Sequence, residues 1–277
     1  MRRLLFIYLI LSVFFIESTA FSQRLTRAEV YDTIQKMPSF SSYHDNYFIS
    51  GVPTNKAITK NTSDIKYQIS FKQLVTRTTL PLNTYLFLSY SQKAFWNVYR
   101  KSSPFAEINF NPALGLGKPV FNKEGNISGL AELKFEHESN GRDSISSRSW
   151  NRLTGAFHTP LGKRTILSLK AWAPFDYTDN HPDLLDYVGL GEIKVEQTIL
   201  SNQLIAEVTF RKGLKDWKGS MGSKIYYKLF KNAGNQYLMV EWFVGYAESL
   251  IDYNKYTSMI RIGYVIKSSD LDILKTR

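Results

Sequence analysis

The sequence has no cysteine, so an exported chain of this composition cannot staple itself with disulfides. It must hold together by other means, such as a sheet closed on its own hydrogen bonds. The same absence removes a lipobox and with it a lipid anchor. After residue 22 no apolar stretch reaches the ~20 residues that a spanning helix needs. A length of 277 residues allows one large domain or at most two, and no low-complexity tract, internal repeat or linker divides the part that follows the first two dozen residues. Histidine is scarce, limited to His44, His137, His158 and His181.

What is present begins with MRRLLFIYLILSVFFIESTAFSQ. Two arginines, an apolar core from Leu4 to Ile16 and small residues thereafter are the layout of a signal peptide. Residues 1–20 are expected to be removed, with cleavage after Ser22 the alternative. Cleavage after Ala20 takes away Arg2, Arg3 and Glu17, which leaves the formal charge of +11 almost unchanged. Outside the cytoplasm a basic protein of this kind is expected to meet an anionic membrane surface and no nucleic acid.

From about residue 43 the hydrophobic period is two. In SGLAELKFEHES, Ala131, Leu133 and Phe135 fall on one face, and Glu132, Lys134 and Glu136 on the other. NQLIAEVTFRKG sets Leu204, Ala206, Val208 and Phe210 against Glu207, Thr209 and Arg211. TYLFLSYSQ, SKIYYKLF, NQYLMVEWFVGY and YTSMIRIGYVIK repeat the pattern, and about twelve strands can be counted, several near the 9–11 residues of a tilted membrane strand. A soluble β-sandwich also alternates, and periodicity alone does not separate the two. An aromatic-rich apolar face, full charges on the opposite face and the missing cysteines favour an all-β, twelve-stranded antiparallel transmembrane barrel with a polar lumen. The expected layout is an N-terminal periplasmic segment over 21–42, a barrel over 43–267 and a short periplasmic tail over 268–277. The glycines of ALGLGK lie in a strand-like run with no helix after them, so close packing, not phosphate binding, explains them.

Parity puts His137 and Ser139 on the side of Leu133 and Phe135, the lipid-facing side of a barrel. Asn151 shares a side with Leu153 and Phe157 in the next run. Polar groups facing hydrocarbon cost several kcal/mol unless paired, so three of them ending neighbouring apolar rows call for a role beyond folding. Imidazole can take a proton from a serine hydroxyl, and an amide oxygen can hold the ring in the required tautomer. For a His-x-Ser pair by itself, ordinary polar residues at a loop edge remain the plain reading. Glu136, Glu138 and His158 have inward parity, which suits lumen ion pairs and lining. HESNG lacks the second histidine of a zinc helix.

The stretch HESNGRDSISSRSWNR (137–152) resembles the active-site signature of the bacterial outer-membrane phospholipase A family. HDNYFISGV, SYSQKAFWN, SSPFAEINFNP, DNHPD and GYAESLIDYN resemble further segments of that family, in the same order. The resemblance implies a calcium-dependent phospholipase of the outer membrane, active as a homodimer on phospholipid acyl esters. Ser139 would be the nucleophile, His137 the base and acid, and Asn151 the group that orients the ring. The backbone carbonyl of Arg142 and the side chain of Ser147 would bind calcium, with Ser102 contributed by the partner barrel. Gln92, on the apolar parity of Leu86, Leu88 and Tyr90, would lie in the dimer interface. The alternatives are a non-enzymatic barrel, porin-like or structural, that retains the signature, and a soluble exported esterase. One departure is visible: the last apolar run ends near Ile266 and continues as KSSDLDILKTR, without a terminal aromatic residue.

Overall fold

A computed structural model describes residues 24–275 except 201, 202, 231 and 233. The expected signal peptide lies outside the described residues. The chain enters through helix α1 (Arg27–Lys36), which starts at a capping box. There Thr26 N donates to Glu29 Oε2 at 2.8 Å and Glu29 N donates to Thr26 Oγ1 at 3.4 Å. A two-residue strand β1 (Phe40–Ser41) follows. Then come β2 (Asn46–Pro53), β3 (Asp64–Leu74), β4 (Tyr85–Trp96), β5 (Phe105–Phe121), β6 (Ile127–Ser139), β7 (Ser149–Leu161) and β8 (Thr165–Phe175). After a short helix α2 (Leu184–Val188) the chain adds β9 (Gly191–Leu200), β10 (Leu204–Lys212), β11 (Gly219–Tyr227), β12 (Gln236–Gly245) and β13 (Thr257–Ile266).

Neighbouring strands pair antiparallel, β13 returns to β2, and β3 pairs with both β2 and β4. β2 to β13 therefore close into a twelve-stranded all-β barrel, while β1 lies along the end of β3. Closure leaves no sheet edge and satisfies the backbone without disulfides. Connections at the end that carries the termini are mostly short, such as 122–126 and 162–164, whereas those at the opposite end are longer, such as 140–148 and 176–190. That asymmetry is usual for outer-membrane barrels.

The alternation maps onto the wall as expected. Leu133 and Phe135 are each 49% exposed on the outside, while Lys134 beside them is 1% exposed inside. Leu88, Leu114, Leu153, Ile193, Phe210, Ile225 and Ile262 extend the outer apolar surface. An apolar surface this continuous would aggregate in water and suits lipid.

The interior is less polar than the alternation suggests. Tyr47, Ile49, Ile205, Tyr226, Tyr237, Met239 and Val265 form a buried cluster inside the wall. A second cluster closes the end that carries the termini, where Val30 and Ile34 of α1 meet Phe87, Leu130, Ile166, Ile273 and Leu274. The expected tail is thus part of the plug: Asp270 pairs with Lys72, and Ile273 and Leu274 are buried. Its Leu-x-Ile-Leu pattern supplies the apolar side chains that hold it there.

Gly115 and Gly117 serve this packing. A Cβ on Gly115 would lie 2.3 Å from Phe87 Cζ, and one on Gly117 2.2 Å from Tyr85 Cζ. The GxG pair makes room for two inward rings. Near the opposite end Arg261, 1% exposed, donates to both Asp64 oxygens at 2.8 Å and to Glu248 Oε1 at 2.6 Å. Lys66 bridges Glu241 and Glu248 at 2.7 and 3.0 Å. These pairs tie β3, β12, β13 and the loop after β12 into one unit.

Candidate active site

The register of β6 and β7 decides what the two polar row ends can do. Ser139 lies opposite Ser149, His137 opposite Asn151, and Phe135 opposite Leu153. Directly opposed residues on one face have Cβ atoms about 4.5–5.5 Å apart, close enough for side chains to bond. His137 Nδ1 and Asn151 Oδ1 are 2.8 Å apart. The amide oxygen can only accept, so the ring donates from Nδ1, and in a neutral ring that tautomer leaves the lone pair on Nε2. Ser139 follows two positions on, about 6.6–6.8 Å along the same face. All three side chains are half-buried, between the apolar wall and the rim.

Behind them, on the lumen face, an ion network bridges the two strands. Arg152 donates to Glu136 and Glu138 at 2.8 Å each, Lys134 donates to Glu136 at 2.9 Å, and the Trp150 indole donates to Glu138 at 3.2 Å. Glu136 and Glu138 therefore serve the strand pair and do not reach the outer site. His158 is buried in the lumen with Nδ1 2.8 Å from Ser168 Oγ. Trp150 also caps the barrel, packed with Leu184 and Val188 of α2 and with Leu250 and Tyr253. His181 lies beside Tyr253 under this cap, and burial lowers its pKa below the ordinary histidine value.

The loop 140–148 carries the expected calcium positions. Its frame is Asn140, a residue that sequence reasoning missed although it directly follows Ser139. The buried Asn140 side chain donates to Ser146 O at 2.9 Å, and its Oδ1 accepts from Arg142 N at 3.3 Å and Arg148 N at 2.9 Å. The Arg142 guanidinium reaches back to β5, donating to Ala106 O at 2.5 Å and pairing with Glu107 at 3.2 Å. That leaves the Arg142 carbonyl on an exposed loop with the Ser147 hydroxyl a few residues away. Ser102 sits in the neighbouring loop 97–104 and is exposed, with a positive φ of 64°. Carbonyl and hydroxyl oxygens are the donors a hard cation such as calcium takes, so these residues fit it by donor chemistry. Among the described residues no group of three or more His, Asp or Glu side chains could hold a metal ion. Gln92 stands on the outer face, half-buried, and accepts from Tyr90 Oη at 2.9 Å.

Asp176 was also missed. It follows the last residue of β8, and its Oδ2 accepts from Asn151 Nδ2 at 3.0 Å. No pattern near residues 137–152 points to it.

A closed antiparallel barrel with an apolar outer surface, carrying a histidine, an asparagine and a serine on its outer wall near one rim, defines an outer-membrane-type barrel with an interfacial polar site. The comparisons with known proteins agree in fold and sequence. The family model described as phospholipase A1 matches residues 16–266. The chain is 30% identical to phospholipase A1 of Salmonella typhimurium, covering 89% of this chain and 93% of that protein. It is also 30% identical to phospholipase A1 of Escherichia coli, covering 95% and 97%. The solved outer membrane phospholipase A of E. coli matches with a TM-score of 0.74 at 25% identity, covering 83% of this chain and 99% of that one. The Salmonella typhi outer membrane phospholipase, solved as a dimer with bound calcium, matches with a TM-score of 0.75 at 24% identity, covering 88% and 99%. That last likeness bears on the fold alone. The chain belongs to the phospholipase A1 family.

Proposed function

We propose that this protein is an outer-membrane phospholipase that hydrolyses acyl esters of phospholipids with Ser139, His137 and Asn151. The observation that carries the reading is the 2.8 Å contact of His137 Nδ1 with Asn151 Oδ1 on the lipid-facing wall, two residues from a serine on the same face. Oriented by Asn151, His137 Nε2 takes the hydroxyl proton as Ser139 Oγ attacks the ester carbonyl. Collapse of the tetrahedral intermediate breaks the bond to the lysolipid oxygen, which leaves with the proton from His137. Water, deprotonated by the same nitrogen, then attacks the acyl-serine; the bond to Ser139 Oγ breaks, that oxygen takes the proton back from His137, and a fatty acid is released. A lipid lying against Leu133, Phe135 and Leu153 brings its ester to the rim without leaving the membrane plane.

The Arg142 carbonyl and the Ser147 hydroxyl would hold calcium, with Ser102 coming from the partner barrel in a homodimer. Bound there, the cation supplies positive charge for the oxyanion that develops on the ester carbonyl. Gln92 lies on the outer wall of β4, where a second barrel would meet a polar amide within an apolar surface, and this supports a role in the dimer contact. The family's relatives named for phospholipase activity support the same reading. A pore is the weaker alternative, since apolar clusters and ion pairs fill much of the lumen.

The test is lipid hydrolysis by detergent-refolded protein. Ser139→Ala should abolish hydrolysis while the barrel still folds, and a chelator should abolish the activity of the unsubstituted chain. Undiminished hydrolysis by Ser139→Ala would overturn the assignment, and activity insensitive to chelation would overturn the calcium role.

A further inference from the structure

Asn151 orients His137 through an amide, and the two ends of an amide are nearly equal in size. With oxygen toward Nδ1 the ring keeps its proton there, and Nε2 is free to act as a base. With the NH2 toward Nδ1 the ring is held in the other tautomer, Nε2 carries the proton, and the serine has no base. Something must choose between the two.

Asp176 is placed to choose. Asn151 pairs in register with Phe175, the last residue of β8, and Asp176 then turns out of the strand with a φ of 53°. Aspartate is among the few non-glycine residues that occupy this left-handed region readily. Its Oδ2 accepts from Asn151 Nδ2 at 3.0 Å, while Asn151 Oδ1 stands 2.8 Å from His137 Nδ1. A carboxylate can only accept, so the NH2 must face Asp176 and the oxygen must face the imidazole. The charge also polarises the amide and strengthens its oxygen as an acceptor.

We infer that Asp176 is a positioning residue of the hydrolytic site, a fourth member behind Asn151 that fixes the amide's direction and through it the base tautomer of His137. This rests on the hydrolytic reading of Ser139, His137 and Asn151. The site then runs across three strands, β6, β7 and the end of β8, and ties the chemistry to the loop that carries α2.

The test is steady-state hydrolysis of a short-chain phospholipid in mixed micelles by folded, calcium-loaded protein. Asp176→Gly suits the positive φ and removes only the carboxylate. It should lower kcat about tenfold, the size of one charge-assisted hydrogen bond at a partly exposed site, with KM unchanged. Asp176→Asn keeps an acceptor oxygen and should restore most of the rate. In an Asn151→Ala background Asp176→Gly should change nothing further, because the amide it acts on is gone. A wild-type kcat for Asp176→Gly would overturn the inference, and so would an equal loss with and without Asn151. Ser139→Ala run in parallel separates the two claims. If that variant retains activity the hydrolytic reading itself falls; if it is dead and Asp176→Gly is normal, only the role of Asp176 falls.

Discussion

Replacing Asn140 by alanine should raise the calcium concentration needed for hydrolysis without disturbing the barrel or the His137–Asn151 pair. Three side-chain hydrogen bonds would go: one donated to Ser146 O and two accepted from Arg142 N and Arg148 N. At about 1 kcal/mol net for each, discounted because Arg142 is exposed and water can replace part of the loss, the loop loses about 2–3 kcal/mol. The strands on either side keep their register, held by Arg152 with Glu136 and Glu138 on the lumen face. The cost therefore falls on the loop that carries the Arg142 carbonyl and Ser147. If calcium binds only the ordered loop, about 2–3 kcal/mol raises the half-saturating concentration by up to about 30- to 150-fold. The assay is a calcium titration of hydrolysis in mixed micelles, with heat-modifiable gel migration as the check on folding. Asn140→Asp keeps both accepting bonds and loses only the donated one, so its shift should be about tenfold or less. At saturating calcium both variants should approach the unsubstituted kcat. A folded Asn140→Ala variant whose half-saturation stayed within about twofold of the unsubstituted chain would show that Asn140 does not frame this loop for calcium.

Two further outcomes follow from buried charge and burial. Arg261→Ala leaves the Asp64 carboxylate without its paired cation and Glu241 and Glu248 with Lys66 alone, and loss of one partner from such a network costs about 3–5 kcal/mol. A urea unfolding midpoint equal to that of the unsubstituted barrel would refute it. Burial holds the His181 pKa below the ordinary 6.5, so the unfolded chain binds that proton more readily than the folded one. Its contribution to stability is complete above 6.5 and is lost as pH falls from there toward the lower folded pKa. His181→Gln should therefore flatten the fall in unfolding midpoint as pH drops below 6.5, and an unchanged slope would count against it.

The outer wall of this barrel was legible in one dimension because alternation is local. Strand geometry alone sends Leu133, Phe135, His137 and Ser139 to one side, whatever the rest of the chain does. The same logic placed Glu136, Glu138 and His158 in the lumen, where each has found an interior partner. The tail was less legible. Its apolar residues carry no period, and their burial depends on α1 and the inner ends of β4, β6 and β8 meeting them. Asn140 was missed because its bonds run to backbone atoms, which leave no trace in side-chain pattern.

By itself, then, the sequence determined the period, the two faces, the all-β class and the polar residues that end the outward-facing apolar rows. Each of these follows from short-range geometry or composition. Only the tertiary structure decided that Asn151 sits directly opposite His137, that Asp176 reaches that amide, that Arg142 is tied to β5, and that α1 and the tail plug one end of the barrel. Those contacts join segments far apart in the chain. They exist because closure of the sheet and the register between strands bring distant residues within a few ångströms, and no local pattern encodes that distance.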